Sequence, residues 1–262
     1  MEEFFNLPIE EKNKYKPHPG DVEGFGQSFV VSEEQKLDWG DRFYMLTLPT
    51  RLRKPHLFPK LPLPLREALE AYSDELSKLA MKLLDFMAIA LKMDTNEMKV
   101  LFEGGMQAMR MNYYPPCPQP DLVVGLTPHS DPIGLTILLQ ANEMDGLQIK
   151  KDGRWVHINC LSNAFLVNIG DSLEIITNGI YKSIEHRAIT NSKKERLSLA
   201  TFYSPMLDKE MGPALSLITP QTQAVFKRIK VADYFRGILS RELRGKSYIN
   251  EMRIQYDESQ TG

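Results

Sequence analysis

The sequence predicts a mainly β protein with flanking α-helices, its core a double-sheet jelly roll or related barrel. Two observations carry that reading. From Gly105 onward the hydrophobic period becomes two, in eight short runs (106–114, 123–127, 135–140, 147–150, 155–159, 165–169, 181–190 and 196–203) parted by turn chemistry such as Asp152-Gly153, Gly170-Asp171 and Asn178-Gly179. No long helix interrupts them. Before Gly105 the period is helical, with Leu65, Leu69, Tyr72, Leu76, Leu79, Leu83 and Phe86 recurring every three or four residues.

Taken in order, residues 1–62 are rich in Pro, Gly and charge and read as a region wrapped over a core built elsewhere. Short strands are expected at 29–31 and 43–46, after which Pro49, Pro55, Pro59, Pro62 and Pro64 keep the chain irregular. An amphipathic helix over 65–93 follows. Asp94-Thr-Asn-Glu97 has the spacing of a capping box and opens a shorter helix that stops at Gly104-Gly105. Within the β region, 171–177 reads as a brief helical turn, and 231–243 as a final amphipathic helix over one rim. The expected division is therefore a partial N-terminal wrapping region with helices (1–104), a jelly-roll core (105–210) and a C-terminal covering helix and tail (211–262).

At 262 residues and 42% apolar content the chain can bury a full core. A net charge of −2, with only short basic clusters such as Lys193-Lys194 and Lys227-Arg228, argues against a nucleic acid or anionic membrane partner. No apolar stretch approaches the length of a membrane span, and the first residues carry no secretory or organellar pattern. Two cysteines, Cys117 and Cys160, argue against a disulfide framework and for a reducing, cytoplasmic compartment, and a monomer is expected.

The chemistry begins in Gly125-Leu-Thr-Pro-His129-Ser-Asp131. His129 and Asp131 share a face in an extended segment, with Cα atoms roughly 6.6 Å apart at about 3.3 Å per residue. Alone, the pair reads as well as a turn beside a hydrogen-bonded histidine. His186 lies 55 residues after Asp131 in another expected strand. Two His and one carboxylate from two strands leave half an octahedron open, the arrangement of non-haem Fe(II) oxygenases, whereas zinc more often takes a closed tetrahedral set. Arg196 and Ser198 share a face of the next strand, where a guanidinium fork beside a hydroxyl suits a carboxylate. In 106–114, Arg110, Asn112 and Tyr114 alternate with Met109, Met111 and Tyr113. That polar face points either into the barrel, toward the same acid and the metal, or to solvent.

Together, Asn112-Tyr-Tyr-Pro-Pro-Cys-Pro-Gln-Pro120, Gly125-Leu-Thr-Pro-His-Ser-Asp131, Asn163-Ala-Phe-Leu-Val-Asn-Ile-Gly-Asp171, Asn178-Gly-Ile-Tyr-Lys-Ser-Ile-Glu-His-Arg187 and Glu195-Arg-Leu-Ser-Leu-Ala200 resemble the plant 2-oxoglutarate- and Fe(II)-dependent dioxygenases. Gly20-Asp-Val-Glu-Gly-Phe-Gly-Gln27 and Leu52-Arg-Lys-Pro-His-Leu-Phe-Pro59 are similar to the senescence-related subgroup, akin to opiate O-demethylases and flavonoid hydroxylases. The resemblance implies a double-stranded β-helix of cupin-like type. It implies Fe(II) on His129, Asp131 and His186, 2-oxoglutarate held by Arg196, Ser198 and Tyr114 with Asn112 close by, O2 as co-reactant and ascorbate as reductant. Phe202 and Arg110 would meet the substrate. The implied reaction hydroxylates or O-demethylates a small plant metabolite while 2-oxoglutarate is decarboxylated to succinate and CO2. An ascorbate-dependent oxidase of the aminocyclopropane-carboxylate type, and a catalytically silent metal-binding form, are the alternatives. Relative to the family pattern the chain starts at its Phe4-Phe5-Asn-Leu-Pro8 element, so a shortened form with an open sheet edge is expected. His157, Cys160 and Ser162 stand where the family has prolines, and Pro132 directly follows Asp131.

Overall fold

The computed structural model describes residues 1–27, 38–242 and 244–255. The expected strand at 29–31 lies outside the described residues. In chain order the helices are α1 (Glu2–Phe5), α2 (Ile9–Asn13), α3 (Leu63–Ala90), α4 (Thr95–Phe102), α5 (Asp171–Ile176), α6 (Val231–Leu239) and α7 (Ser247–Glu251). The strands are β1 (Gly24–Gly26), β2 (Asp41–Leu48), β3 (Met106–Tyr114), β4 (Leu126–His129), β5 (Leu135–Gln140), β6 (Leu147–Lys151), β7 (Arg154–His157), β8 (Phe165–Ile169), β9 (His186–Ala188), β10 (Arg196–Ser204), β11 (Glu210–Met211) and β12 (Ile229–Lys230).

A six-stranded sheet runs β1-β2-β3-β10-β5-β8 and a four-stranded sheet runs β4-β9-β6-β7, each pair antiparallel. Residues of both line one cavity, so the two sheets form the jelly roll that the alternation predicts. Strand β10 is central, hydrogen-bonded along most of its length to β3 on one side and β5 on the other.

Helix α3 packs through Leu69, Ser73, Leu76, Ala80, Leu84 and Ala88, a stripe at three- and four-residue spacing. The stripe leaves the expected one after Leu76, and Phe86 is 54% exposed. Leu79 and Leu83 of the expected stripe stay half-buried against the core, at the edge of the face that Ala80, Leu84 and Ala88 bury. Ser73 is buried on that face with its hydroxyl donating to Gln107 Oε1, while Gln107 Nε2 donates to the Ser73 carbonyl at 2.9 Å and to the Tyr203 hydroxyl at 2.7 Å. Pro64 sits in the first turn, where a missing N–H costs nothing, and Lys92 at φ +55° marks the left-handed exit just past the helix. Leu84, Leu135, Ile137, Leu173, Tyr234 and Ile249 meet in the larger core cluster.

Four expectations about local structure need correction. Asp94 does cap α4, accepting from Asn96 N at 3.0 Å. Glu97 does not close the box, because its carboxylate accepts from Leu215 N at 2.6 Å. The strand expected at 123–127 pairs from Leu126 to His129, through Pro128; β4 is an edge strand, where a proline lacks no ladder partner. The run 181–190 pairs only at 186–188, since Ser183 N is taken by the Glu174 carboxylate at 2.8 Å. The N-terminal part also does more than wrap. Strand β2 hydrogen-bonds to β3, and Phe43 and Met45 join Phe4, Phe5, Met109 and Met111 in a second core cluster.

Candidate active site

Strands β4 and β9 place His129 and His186 directly opposite each other, and Asp131 follows two residues after His129. The ring Nε2 atoms lie 3.6 and 3.7 Å from Asp131 Oδ1, and one donor atom from each residue falls within 4.8 Å of the others. Each imidazole is oriented by its other nitrogen: Nδ1–H of His129 donates to the Thr127 carbonyl at 2.8 Å, and that of His186 to the Ile184 carbonyl at 3.1 Å. A carbonyl only accepts, so both Nε2 atoms keep a lone pair for a metal. Asp131 is fixed the same way, since Oδ2 accepts from Thr136 Oγ1 at 2.6 Å and Asn168 Nδ2 at 2.9 Å, leaving Oδ1 for the ion. Burial by itself would push the Asp131 carboxyl up; His186 and His129, when protonated, and the Thr136 hydroxyl outweigh it and hold it well below the usual carboxylate range. Burial lowers His186, against the pull of Asp131, and so favours the neutral ring that ligates. The donor set fits a divalent iron: two nitrogens and one oxygen, converging, with the rest of the coordination sphere open to the cavity.

The other end of the cavity is built by register. Arg196 pairs with Tyr114, Ser198 with Asn112 and Ala200 with Arg110, so the polar face of β3 looks inward, and its Met109 and Met111 face enters the N-terminal core. Arg196 is 3% exposed, yet its hydrogen bonds are long and to neutral groups: Nη1–H to Ser198 Oγ and Nη2–H to Gln140 Oε1, both 3.3 Å. Among the described residues its buried Nε and Asn112 Oδ1 have no hydrogen-bond partner. A buried cation so weakly compensated is matched to an anion. Gly146 makes room for it, because a Cβ there would come within 2.7 Å of Arg196 Cδ. Tyr114, 5.4 Å from the guanidinium by its ring centroid, has its hydroxyl pushed up by burial and remains a donor. This donor set fits a dicarboxylate held at its far end.

One cavity between the two sheets holds both ends of this site. Every residue the sequence singled out for the site lines it: His129, Asp131, His186, Arg196, Ser198, Tyr114, Asn112, Arg110 and Phe202. Thr136, Asn168 and Gln140 were missed. Thr136 and Gln140 are the two polar residues of β5, on one face, and Asn168 is the one of β8; polar residues in such apolar runs were the available signal.

A jelly roll that aims two imidazoles and a carboxylate at one point, facing a buried guanidinium, defines a non-haem iron oxygenase using an organic acid. The comparisons agree. The model of the 2OG-Fe(II) oxygenase superfamily matches residues 105–205, and that of the non-haem dioxygenase in morphine synthesis N-terminal region matches residues 1–61. The chain is 60% identical over 255 residues to oxoglutarate-dependent flavonoid 7-O-demethylase 1 of Ocimum basilicum, covering 97% of this chain and 68% of that one. It is 56% identical to codeine O-demethylase of Papaver somniferum, covering 96% and 70%. The solved structure of JOX2 in complex with 2OG, Fe and JA superposes with a TM-score of 0.92 at 36% identity, covering 97% of this chain and 76% of that one. The chain belongs to the 2-oxoglutarate- and Fe(II)-dependent dioxygenases, in the plant subgroup that includes these demethylases. It is an oxidoreductase. Among the described residues no helix is long and apolar enough to cross a membrane.

Proposed function

We propose that this chain removes a methyl group from an aromatic methyl ether of a small plant metabolite, by hydroxylating the methyl carbon. The reading rests on one observation: the Arg196–Ser198–Tyr114–Asn112 face and the His129–Asp131–His186 face line the same cavity, in a chain whose similar relatives are named as flavonoid and codeine O-demethylases. His129, Asp131 and His186 would hold iron, which supplies, when bound, the coupling of O2 reduction and 2-oxoglutarate decarboxylation to C–H hydroxylation. Three ligands carrying one negative charge leave a divalent ion net positive, and Arg196 adds a second positive charge to meet the dianion. Arg196 and Ser198 orient the acid through its far carboxylate, with Tyr114 and Asn112 beside them.

The substrate wall is apolar, with Leu138, Leu166, Ala200 and Phe202, and Phe202 offers a ring edge or face to an aromatic scaffold. Arg110 brings a polar contact to the same wall. The balance is ether plus 2-oxoglutarate plus O2 giving phenol, formaldehyde, succinate and CO2: the hydroxylated methyl is a hemiacetal that expels formaldehyde as the phenol leaves. Ascorbate keeps the metal reduced between turnovers, and the chain works as a monomer.

The test is incubation of the purified chain with Fe(II), 2-oxoglutarate, ascorbate and a panel of O-methylated flavonoids and alkaloids. Succinate, formaldehyde and demethylated product in equal amounts are expected. A hydroxylated product without formaldehyde reassigns the reaction to hydroxylation at another carbon. Product without succinate refutes the 2-oxoglutarate reading in favour of an ascorbate-driven oxidase.

A further inference from the structure

Three charged side chains outside the donor set tie the metal-ligand loops to the end of the chain. Asp171, 3% exposed at the start of α5, accepts from Ser130 Oγ at 2.9 Å through one oxygen and from Ser183 Oγ through the other. Ser130 lies between His129 and Asp131, and Ser183 is three residues before His186, so one carboxylate staples both ligand segments. Glu174, fully buried one turn along the same helix, accepts from Ser183 N at 2.8 Å and from Lys246 Nζ at 2.7 Å. Lys246 also donates to the Ser183 carbonyl at 2.8 Å. The neighbouring Gly245 bonds the ligand strand itself: its N–H donates to the Pro128 carbonyl at 3.1 Å, and its carbonyl accepts from Ser130 N at 3.3 Å.

We propose that residues 244–255 act as a latch on the metal centre, in which Lys246, through Glu174 and Asp171, fixes the spacing of the two ligand segments and so sets the affinity for the ion from beyond its coordination shell. The inference rests on the iron-site reading above. The latch is anchored at its far end by Ile249, buried in the larger core, and by Arg253, which reaches Glu174 Oε1 at 3.0 Å. Burial alone would push the Glu174 carboxyl up, but the Lys246 ammonium outweighs it and keeps it ionised. The need for a latch lies in the sheet. Strands β4 and β9 pair at only two positions, Leu126 with Ala188 and His129 with His186, with an irregularity between them. So short a ladder leaves the ligand spacing to the ties around it: the carboxylate bonds above, the Gly245 bonds, and Asp171 N–H donating to the Asp131 carbonyl at 2.7 Å. Lys246, Glu174 and Asp171 are thus positioning residues.

The test is anaerobic titration of the full, metal-free chain with Co(II), followed by its d–d absorption, with circular dichroism and thermal melting of the metal-free protein alongside. One Co(II) per chain is expected for the unsubstituted protein. Lys246→Met, which keeps the stem and removes the cation, is expected to weaken Co(II) binding about tenfold, the lower end of what outer partners of metal ligands contribute, and to change the absorption envelope. Lys246→Arg is expected to restore most of the affinity, and Glu174→Gln with Lys246→Met to be no weaker than Lys246→Met alone. Ser130→Ala removes one oxygen from the staple and is expected to weaken binding in the same direction if Lys246→Met does not fold. Unchanged Co(II) affinity and spectrum in Lys246→Met and Ser130→Ala would overturn the latch. So would a loss that Lys246→Arg fails to rescue and that only tracks a lower melting temperature. Absence of Co(II) binding by the unsubstituted chain would instead overturn the iron site.

Discussion

Arg196→Met separates binding from stability with opposite signs. The guanidinium is buried, its Nε has no hydrogen-bond partner among the described residues, and its bonds to Ser198 Oγ and Gln140 Oε1 are 3.3 Å long and run to neutral oxygens. Replacing a buried, poorly paired charge by an apolar chain of similar length is often neutral or stabilising. The melting temperature without metal or acid is therefore expected to stay level or rise. For 2-oxoglutarate the balance reverses. A carboxylate that loses its charge-assisted bonds forfeits about 1.5–3 kcal/mol for each, so about 3 kcal/mol is a conservative total. At 1.4 kcal/mol per factor of ten, the dissociation constant is expected to rise on the order of a hundredfold. Calorimetric titration of 2-oxoglutarate into the anaerobic Co(II)-loaded protein measures it. An affinity within a few-fold of the unsubstituted chain would refute the assignment of Arg196 as the anchor, and a large fall in melting temperature would refute the picture of an undercompensated cation.

Two further outcomes follow from single hydrogen bonds. Thr136→Val keeps the shape of β5 but removes the 2.6 Å bond to Asp131 Oδ2; Co(II) affinity is expected to fall by about tenfold or more, read by the same titration, with little change in the fold. Asp94→Ala removes the cap on Asn96 N at the start of α4 and is expected to cost about 1 kcal/mol of stability, measured by urea unfolding, with no change in metal affinity.

What could be read from the sequence was whatever depends on period. Alternation in 106–114 and 196–204 fixed which residues share a face, and the structure shows both polar faces turned inward, a choice that the pattern left open. His129, Asp131 and His186 converge as the spacing and the facial-triad chemistry required. The rest depends on which strands become neighbours. Thr136 and Asn168 reach Asp131 because β5 lies beside β8, with Thr136 opposite Asn168, and no local pattern in either strand announces that pairing. Glu97 matched a capping box and was claimed by backbone N–H groups more than a hundred residues away. The buried stripe of α3 moved by one position after Leu76, to Ala80, Leu84 and Ala88, where they meet Leu135 and Ile137 of β5 in one core, with Leu79 and Leu83 at its edge. In each case a tertiary partner outcompeted the local one.

The two halves of the site differ in how they are held, and that difference is measurable. The acid-binding face sits on β3 and β10, paired in continuous register from Arg196–Tyr114 to Ser204–Met106, with β5 bonded to the other side of β10. Opening β10 requires breaking both ladders together, so its amides should exchange with solvent only through global unfolding. The metal-binding face is held by shorter ladders: β4 meets β9 at two pairs and Gly245 through two backbone hydrogen bonds, and β9 meets β6 at three pairs. Its local opening costs less, and a ligand that binds only the closed form adds RT ln(1 + [L]/Kd) to that cost. Hydrogen exchange of the metal-free chain should therefore show amides of 199–203 protected and those of 186–188 less so, with Co(II) at a hundred times its Kd slowing the latter by about a hundredfold while leaving the former set by the global transition. Equal protection of the two strands without metal would show that the β4–β9 ladder holds its ligands without help, and would remove the physical reason for the side-chain ties around Asp131 and Asp171.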